Sequence, residues 1–340
     1  MGEQIATGPG SAAVKAEGPW TVRRLLAWMQ PFLAEKGVDS PRHIAEILLS
    51  HVLKVERLKL YMEPDRELDP IELAELRALV MRAARHEPVQ FLVGRWTFLG
   101  RDFDVAPCTL IPRPCTEKLV ERALEWYRIR GGGAVRALDL CTGTGCIAVS
   151  LVLGMRAIAR PSGAGCRPIL GAHAEDATSA DGSISVVATD VVAAAVELAR
   201  ANAARLGAPI ECRQGDLWDA VETGARFDLI VANPPYVTDE EFTQLDRNVR
   251  DHEPATALRG GRDGLDVIRK IVAGARARLS PAGLLLLEIG WKQADEVRRM
   301  LAADGWQAIT TTRDDEGHER IIGASIGGGL DLNVERTGAG

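Results

Sequence analysis

Aromatic residues are scarce in this chain, at 5%, and only three are tyrosines. Cysteine is present but unpaired in pattern. The six cysteines, at 108, 115, 141, 146, 166 and 212, include no C-x-x-C, which argues against a zinc ribbon or a disulfide framework. They read as reduced thiols in a cytosol-like, cytoplasmic setting. The six histidines include no H-E-x-x-H pattern, and no metal site is expected. No apolar run approaches the roughly 20 residues of a membrane span. Residues 1–18 lack the basic start and apolar core of a signal peptide, and Ala6 breaks the myristoylation pattern after Met1-Gly2. Positive charge is not in excess either. A net charge of -6 and a pI near 5.7 argue against direct nucleic-acid binding. Arg77, Arg82 and Arg85 could form a local basic patch but read as a solvated helix face. Otherwise the balance of 46% hydrophobic and 26% charged residues is that of a soluble globular protein long enough for two domains.

One of the tyrosines ends the most informative segment. Phe227-Asp228-Leu229-Ile230-Val231-Ala232 reads as a buried strand, and Asn233-Pro234-Pro235-Tyr236 follows it. Two prolines fix φ and offer no N–H, so the ladder stops there. That leaves an amide and two prolyl carbonyls at the carboxyl edge of an α/β sheet, where such folds bind ligands. The arrangement suits a planar NH2 group. Asn233 Oδ1 could accept one hydrogen and the Pro234 carbonyl the other, with Tyr236 covering the group. A loop that merely turns away from the sheet would also fit these four residues taken alone.

Upstream, the apolar run Val135 to Leu140 enters the small-residue turn Cys141-Thr142-Gly143-Thr144-Gly145, and a helical pattern begins at Cys146. Strand, glycine turn and helix form the opening unit of a nucleotide-binding α/β fold. The spacing is neither G-x-G-x-x-G nor a P-loop. A second strand, Ile184 to Thr189, ends on Asp190, where an acid suits ribose hydroxyls. A third, Ile210 to Gly215, ends on Asp216 beside Leu217, placed to meet an adenine amino group.

These residues together look like a class I S-adenosylmethionine-dependent methyltransferase. Leu110-Ile111-Pro112-Arg113-Pro114, Arg250-Asp251-His252-Glu253-Pro254, Gly260-Gly261-Arg262-Asp263-Gly264, Leu287-Glu288-Ile289-Gly290 and the segment 315–320 narrow the likeness. From about Trp20 to Gly323 the chain resembles the peptide-chain release factor glutamine methyltransferases. The resemblance implies a Rossmann-like, mostly parallel sheet with helices on both faces, preceded by a small all-α domain. It implies S-adenosyl-L-methionine as cofactor and the glutamine of the Gly-Gly-Gln loop of class I release factors as substrate. Cys141, Thr142, Gly143, Thr144 and Gly145 would then surround the methionine part of the cofactor. Asp190 would hold its ribose, Asp216 and Leu217 would border its adenine, and Asn233 would also touch the cofactor; Asn233, Pro234, Pro235, Tyr236 and Arg113 would hold the substrate, with Asn233, Pro234 and Tyr236 as the catalytic residues. The chain departs from the family pattern at Cys141, where the family has Gly, and at Cys115, where it has an acid.

The expected organisation is a tail over 1–18, a helical substrate-recognition domain over 19–86, a bridging hairpin over 87–109, the methyltransferase domain over 110–326 and a tail over 327–340. Ser40-Pro41 and Asp69-Pro70-x-Glu72 read as helix starts. The Gly, Ala, Pro and Ser-rich stretch 156–182 reads as a flexible insertion. A monomer is the default. Two other readings use the same residues. One is a methyltransferase acting on a ribosomal-protein glutamine or a base exocyclic amine, and the other a non-catalytic cofactor or release-factor binder.

Overall fold

The computed structural model describes residues 18–159 and 184–327, which fall into two compact units divided between Val93 and Gly94. Apart from Gly18 and Gly327, the terminal tails lie outside the described residues, as do all but the first residues of the expected insertion. What is described at 156–159 is the end of a helix.

The first unit is helical: α1 (Val22–Glu35), α2 (Pro41–Leu53), α3 (Arg57–Met62), α4 (Pro70–Ala83) and α5 (Val89–Val93). Leu25, Met29, Leu33, Leu48, Leu49, Leu76 and Val80 face one another in its core. Helix α4 starts as its sequence predicts. Asp69 accepts from the Ile71 and Glu72 N–H groups at 2.8 Å, and Glu72 reaches back to the Asp69 N–H at 3.0 Å. Helix α2 starts at Pro41, but Ser40 does not cap it. Its φ of 49° is left-handed rather than extended, and its hydroxyl makes no cap bond. The expected hairpin is also shorter. Residues 89–93 form α5 because the Pro88 carbonyl accepts from the Phe91 and Leu92 N–H groups, turning the chain helical and burying Val89, Phe91 and Leu92.

The second unit opens with a hairpin, β1 (Arg95–Phe98) and β2 (Arg101–Asp104), tight enough to need positive φ at Leu99 and Gly100. Then come α6 (Pro114–Ile129), β3 (Val135–Leu140), α7 (Cys146–Ala159), β4 (Ile184–Asp190), α8 (Ala193–Arg205), β5 (Glu211–Gln214) and β6 (Phe227–Ala232). Three short helices follow, α9 (Asp239–Gln244), α10 (Arg247–Arg250) and α11 (Ala255–Leu258). The unit ends with α12 (Asp266–Ala275), β7 (Leu279–Glu288), α13 (Ala294–Ala303), β8 (Gln307–Arg313) and β9 (Glu319–Ser325). Seven strands form one sheet in the order β5-β4-β3-β6-β7-β9-β8, with β9 antiparallel to both neighbours and the other pairs parallel. The apolar runs of β3 and β6 exist because both faces of the sheet are covered. Ala137, Leu229 and Val231 pack toward α6 and α7, while Leu138, Leu140 and Ile230 pack toward α12 and α13.

The chain travels outward from β3 through β4 to β5 and then returns to β6 on the other side of β3. Neighbouring connections therefore part at the carboxyl ends of β3 and β6, leaving a crevice. Asn202 on α8 ties the hairpin to that crevice. Fully buried, it accepts from the Asp104 N–H at 2.8 Å and donates to the carbonyls of Asp104 at 2.9 Å and Thr144 at 3.0 Å. Replacing Asn202 with Ala strands these backbone groups away from water. Asn202→Ala is expected to lower the unfolding free energy by about 2 kcal/mol in a denaturant titration; a loss under about 0.5 kcal/mol would show that the amide is not a needed tie.

Candidate active site

A cavity of about 950 Å³, counting its open mouth, occupies the crevice. Its walls include Cys141, Thr142, Gly143, Thr144, Asp190, Asp216, Leu217, Asn233 and Pro235. The strand tips therefore bring together residues that are distant in the chain. Thr109, Leu110, Pro112, Thr256 and Ala257 close the cavity from other segments.

The turn after β3 is braced from two sides. On one side, Asp190 accepts the Gly143 N–H at 2.9 Å with one carboxylate oxygen and the Val192 N–H at 2.9 Å with the other. On the other, Asp139 accepts the Thr142 hydroxyl at 2.6 Å and the Ala148 N–H at 3.2 Å through Oδ2. Burial raises the pKa of both acids, and that of Asp139, which has no exposed surface, is pushed up to about 7 against those two hydrogen bonds. Asp139 Oδ1 and Thr144 Oγ1 are buried without a partner. Cys141 sits at φ 60°, a left-handed conformation that costs an L residue strain. Its thiol is held protonated, because burial and then Asp190 and Asp139 raise its pKa.

Gly145, expected against the cofactor, does not line the cavity. It has φ 79°, and a Cβ there would lie 3.0 Å from that of Ala199, so it serves the close packing of the turn on α8. Asp216 is half exposed, with Lys270 Nζ 3.8 Å from its carboxylate.

The opposite wall carries Asn233. Its Nδ2 donates to Thr116 Oγ1 at 3.0 Å, and the Thr116 hydroxyl donates to Glu288 Oε2 at 2.7 Å. Glu288 Oε1 accepts the Tyr236 hydroxyl at 3.1 Å and the Cys115 thiol at 3.4 Å. Glu288 is fully buried, and burial raises its pKa while these donors and Arg320 oppose the rise. Cys115 is pushed up to about 12, by burial first and then by Glu288. Tyr236 was expected to cover the substrate amide. Its hydroxyl points instead to Glu288, and neither Tyr236 nor Pro234 is among the lining residues.

The Pro-Pro-Tyr turn is fixed by backbone. Val237 donates its N–H to the Leu258 carbonyl at 2.9 Å, and its carbonyl accepts the Gly260 N–H at 2.8 Å. A Cβ at Gly260 would approach the Pro235 carbonyl oxygen to 2.7 Å, and one at Gly264 the Tyr236 carbonyl oxygen to 2.2 Å. The glycines at 260 and 264 thus let two stretches of main chain touch.

Arg113, expected to hold substrate, stands outside the lining residues and is ion-paired to Glu253. Glu253 is buried and also accepts the Ile111 N–H at 3.0 Å, so the pair clamps the 110–113 segment over the cavity. Thr116, Asp139, Glu253 and Glu288 were not anticipated as site residues. Glu288 lies in the motif Leu287-Glu288-Ile289-Gly290, as an acid ending the apolar run Leu284 to Leu287, but the motif gave it no role in the site.

Residues 24–94 match the model of the PrmC N-terminal domain, and residues 163–250 that of the methyltransferase small domain. The release factor glutamine methyltransferase of Geobacter sulfurreducens is 39% identical over 91% of this chain and 98% of its own length. That of Bordetella pertussis is 38% identical over 88% and 99%. A solved structure from Alicyclobacillus acidocaldarius, described as a protein-(glutamine-N5) methyltransferase (release factor-specific), is 27% identical over 66% of this chain and 99% of that one, with a TM-score of 0.37. Sharing more than a third of its residues with such relatives along nearly its whole length, the chain belongs to the release factor glutamine methyltransferase family.

Proposed function

We propose that the chain transfers the methyl group of S-adenosylmethionine to the side-chain amide nitrogen of the glutamine in the Gly-Gly-Gln motif of class I release factors. The observation that carries this reading is the Asn233 carboxamide in the cavity wall with its Nδ2 committed to Thr116. Its Oδ1 is then the atom left to accept from an incoming NH2 group. The acidic net charge of -6 fits a protein acceptor better than a nucleic acid. Among the described residues no helix is long and apolar enough to cross a membrane. We take the enzyme to act as a cytoplasmic monomer.

The cavity fits the cofactor on its own chemistry. Its lining residues include the carboxylates of Asp190 and Asp216 and no Lys or Arg, which suits a sulfonium cation. The orphaned Asp139 Oδ1 and Thr144 Oγ1 lie in or beside the turn that would face the methionine part. In this reading Asp190 holds the ribose, and Asp216 with Leu217 borders the adenine. The turn 141–144 cradles the methionine end from the β3 side. The bound cofactor supplies a methyl group on a sulfonium whose sulfur keeps the C–S electron pair.

An amide nitrogen is a poor nucleophile because its lone pair is delocalised into the carbonyl. It forms the new N–C bond and releases one proton to water, so no strong base needs to act before attack. The protein's contribution is alignment. Asn233 Oδ1, in the cavity wall, accepts one N–H bond, which fixes the nitrogen and favours the positive charge it develops. The segment 19–86 would be the part that recognises the release factor.

Labelled methyl transfer from S-adenosylmethionine to a purified release factor tests the function. Label is expected on the wild-type factor and none on a factor whose Gly-Gly-Gln glutamine is replaced. Label on both, or on neither, would remove the assignment of the acceptor. Asn233→Ala is expected to lower kcat by about 10²-fold or more, with the cofactor dissociation constant changed by no more than about threefold. Equal losses in both would make Asn233 a cofactor ligand instead. Cys141→Gly relieves a left-handed strain of about 1 kcal/mol, which the added freedom of the unfolded chain largely offsets. Its unfolding midpoint should stay close to wild type and calorimetry should show cofactor affinity no weaker. A tenfold weaker affinity would mean that the thiol side chain packs on the cofactor.

A further inference from the structure

We propose that Glu288 and Thr116 are positioning residues that set which face of the Asn233 amide meets the substrate; the inference rests on the function proposed above. The argument is one of proton parity. An ionised carboxylate can only accept, and a threonine hydroxyl has a single proton to give. Thr116 gives that proton to Glu288 Oε2 at 2.7 Å. Its oxygen can then act toward Asn233 only as an acceptor, and the group it faces at 3.0 Å is the amide nitrogen. The nearly symmetric carboxamide is thereby oriented with Nδ2 inward and Oδ1 free for the acceptor amide. The opposite orientation would set one NH2 group against another.

The fold holds this chain of bonds in place at each link. Parallel pairing of Ala232 with Leu287 brings the next residues of the two strands, Asn233 and Glu288, side by side at the edge of the sheet. Thr116, in the first turn of α6, fits between them and is buried. The groups facing the carboxylate are Cys115 and Thr116 from α6, Tyr236 from the turn after β6, and Arg320 from β9. Cys115 and Tyr236 donate to Oε1, which leaves Oε2 for Thr116. The order also polarises Asn233, since a charge-assisted bond at Thr116 makes its oxygen a better acceptor and the amide beyond it more dipolar. A protonated Glu288 could donate to Thr116 instead. The freed hydroxyl proton would then favour Asn233 Oδ1, and the amide would turn its NH2 toward the cavity.

The test compares wild type, Thr116→Val, Thr116→Ser and Glu288→Gln, with release-factor methylation and cofactor binding measured on each. Thr116→Val is expected to lower kcat by about tenfold or more with cofactor affinity held within about threefold. Thr116→Ser, which keeps the hydroxyl, should restore most of the loss. Wild-type kcat should fall as pH drops through the Glu288 titration, which burial moves above the ordinary range for Glu, and Glu288→Gln should lack that fall. Wild-type turnover in Thr116→Val would overturn the proposal.

A separate readout does not depend on methyl transfer. With asparagine labelled by nitrogen-15, the Asn233 side-chain amide, assigned by its disappearance in Asn233→Asp, should show one slowly exchanging N–H in wild type and Thr116→Ser. Thr116→Val should lose it. The same signal in all three would sink the proposal even if wild type labels the release factor. If wild type transfers no label, the function assigned above fails while this signal still decides the amide's orientation.

Discussion

A single buried carboxylate organises the wall of the cavity that carries Asn233. Burying a charge is costly unless donors surround it, and Glu288 has a hydroxyl, a phenol and a thiol from two other segments of the chain. Those donors hang on the start of α6 and on the turn after β6, so neither can shift without stranding the carboxylate. The strand that carries Glu288 is itself paired to the strand that ends at Asn233. Position in the sheet and side-chain bonding therefore constrain the same few atoms. This is why a proline-rich turn with no ladder of its own can hold an amide steadily.

The turn after β3 uses the same device in a different form. Asp139 beneath the turn accepts from Thr142 and Ala148, Asp190 beside it accepts from Gly143, and Cys141, Thr142, Gly143 and Thr144 line the cavity. Neither acid is spare. Asp190 already receives two main-chain N–H groups, and its remaining lone pairs are what a ribose would meet. At Asp139 burial outweighs the hydrogen bonds it accepts and pushes the pKa up to about 7.

Local patterns were readable from sequence wherever a short stretch determines its own geometry. The apolar strands β3 and β6, the glycine turn, the proline stop and the capping box of α4 are all of this kind. What escaped was set by contacts distant in sequence. Thr116 meets Asn233 across 117 positions and Glu288 across 172, so no window of sequence contains the pair. Gly145 and Arg113 lie in motifs that name the site, yet one packs on Ala199 and the other clamps Glu253. Ser40 has the right residue type for a cap but the wrong φ. Helix α5 was hidden because alternation over so few residues suits a strand as well as a helical turn.

Those misplacements share a cause that bears on the chemistry. Methyl transfer to an amide asks little of acid or base catalysis and much of alignment, so few side chains need to touch the reacting atoms. The remaining motif residues fix the ones that do. Glu253 and Arg113 hold the 110–113 segment, and the glycines at 260 and 264 admit main chain against the Pro-Pro-Tyr turn. Glu288 and Thr116 hold Asn233. A substitution in such a support moves an acceptor atom by a fraction of an ångström without removing it. For a reaction that depends on an in-line approach, such a displacement reduces the rate much as losing the atom would, while leaving cofactor binding intact.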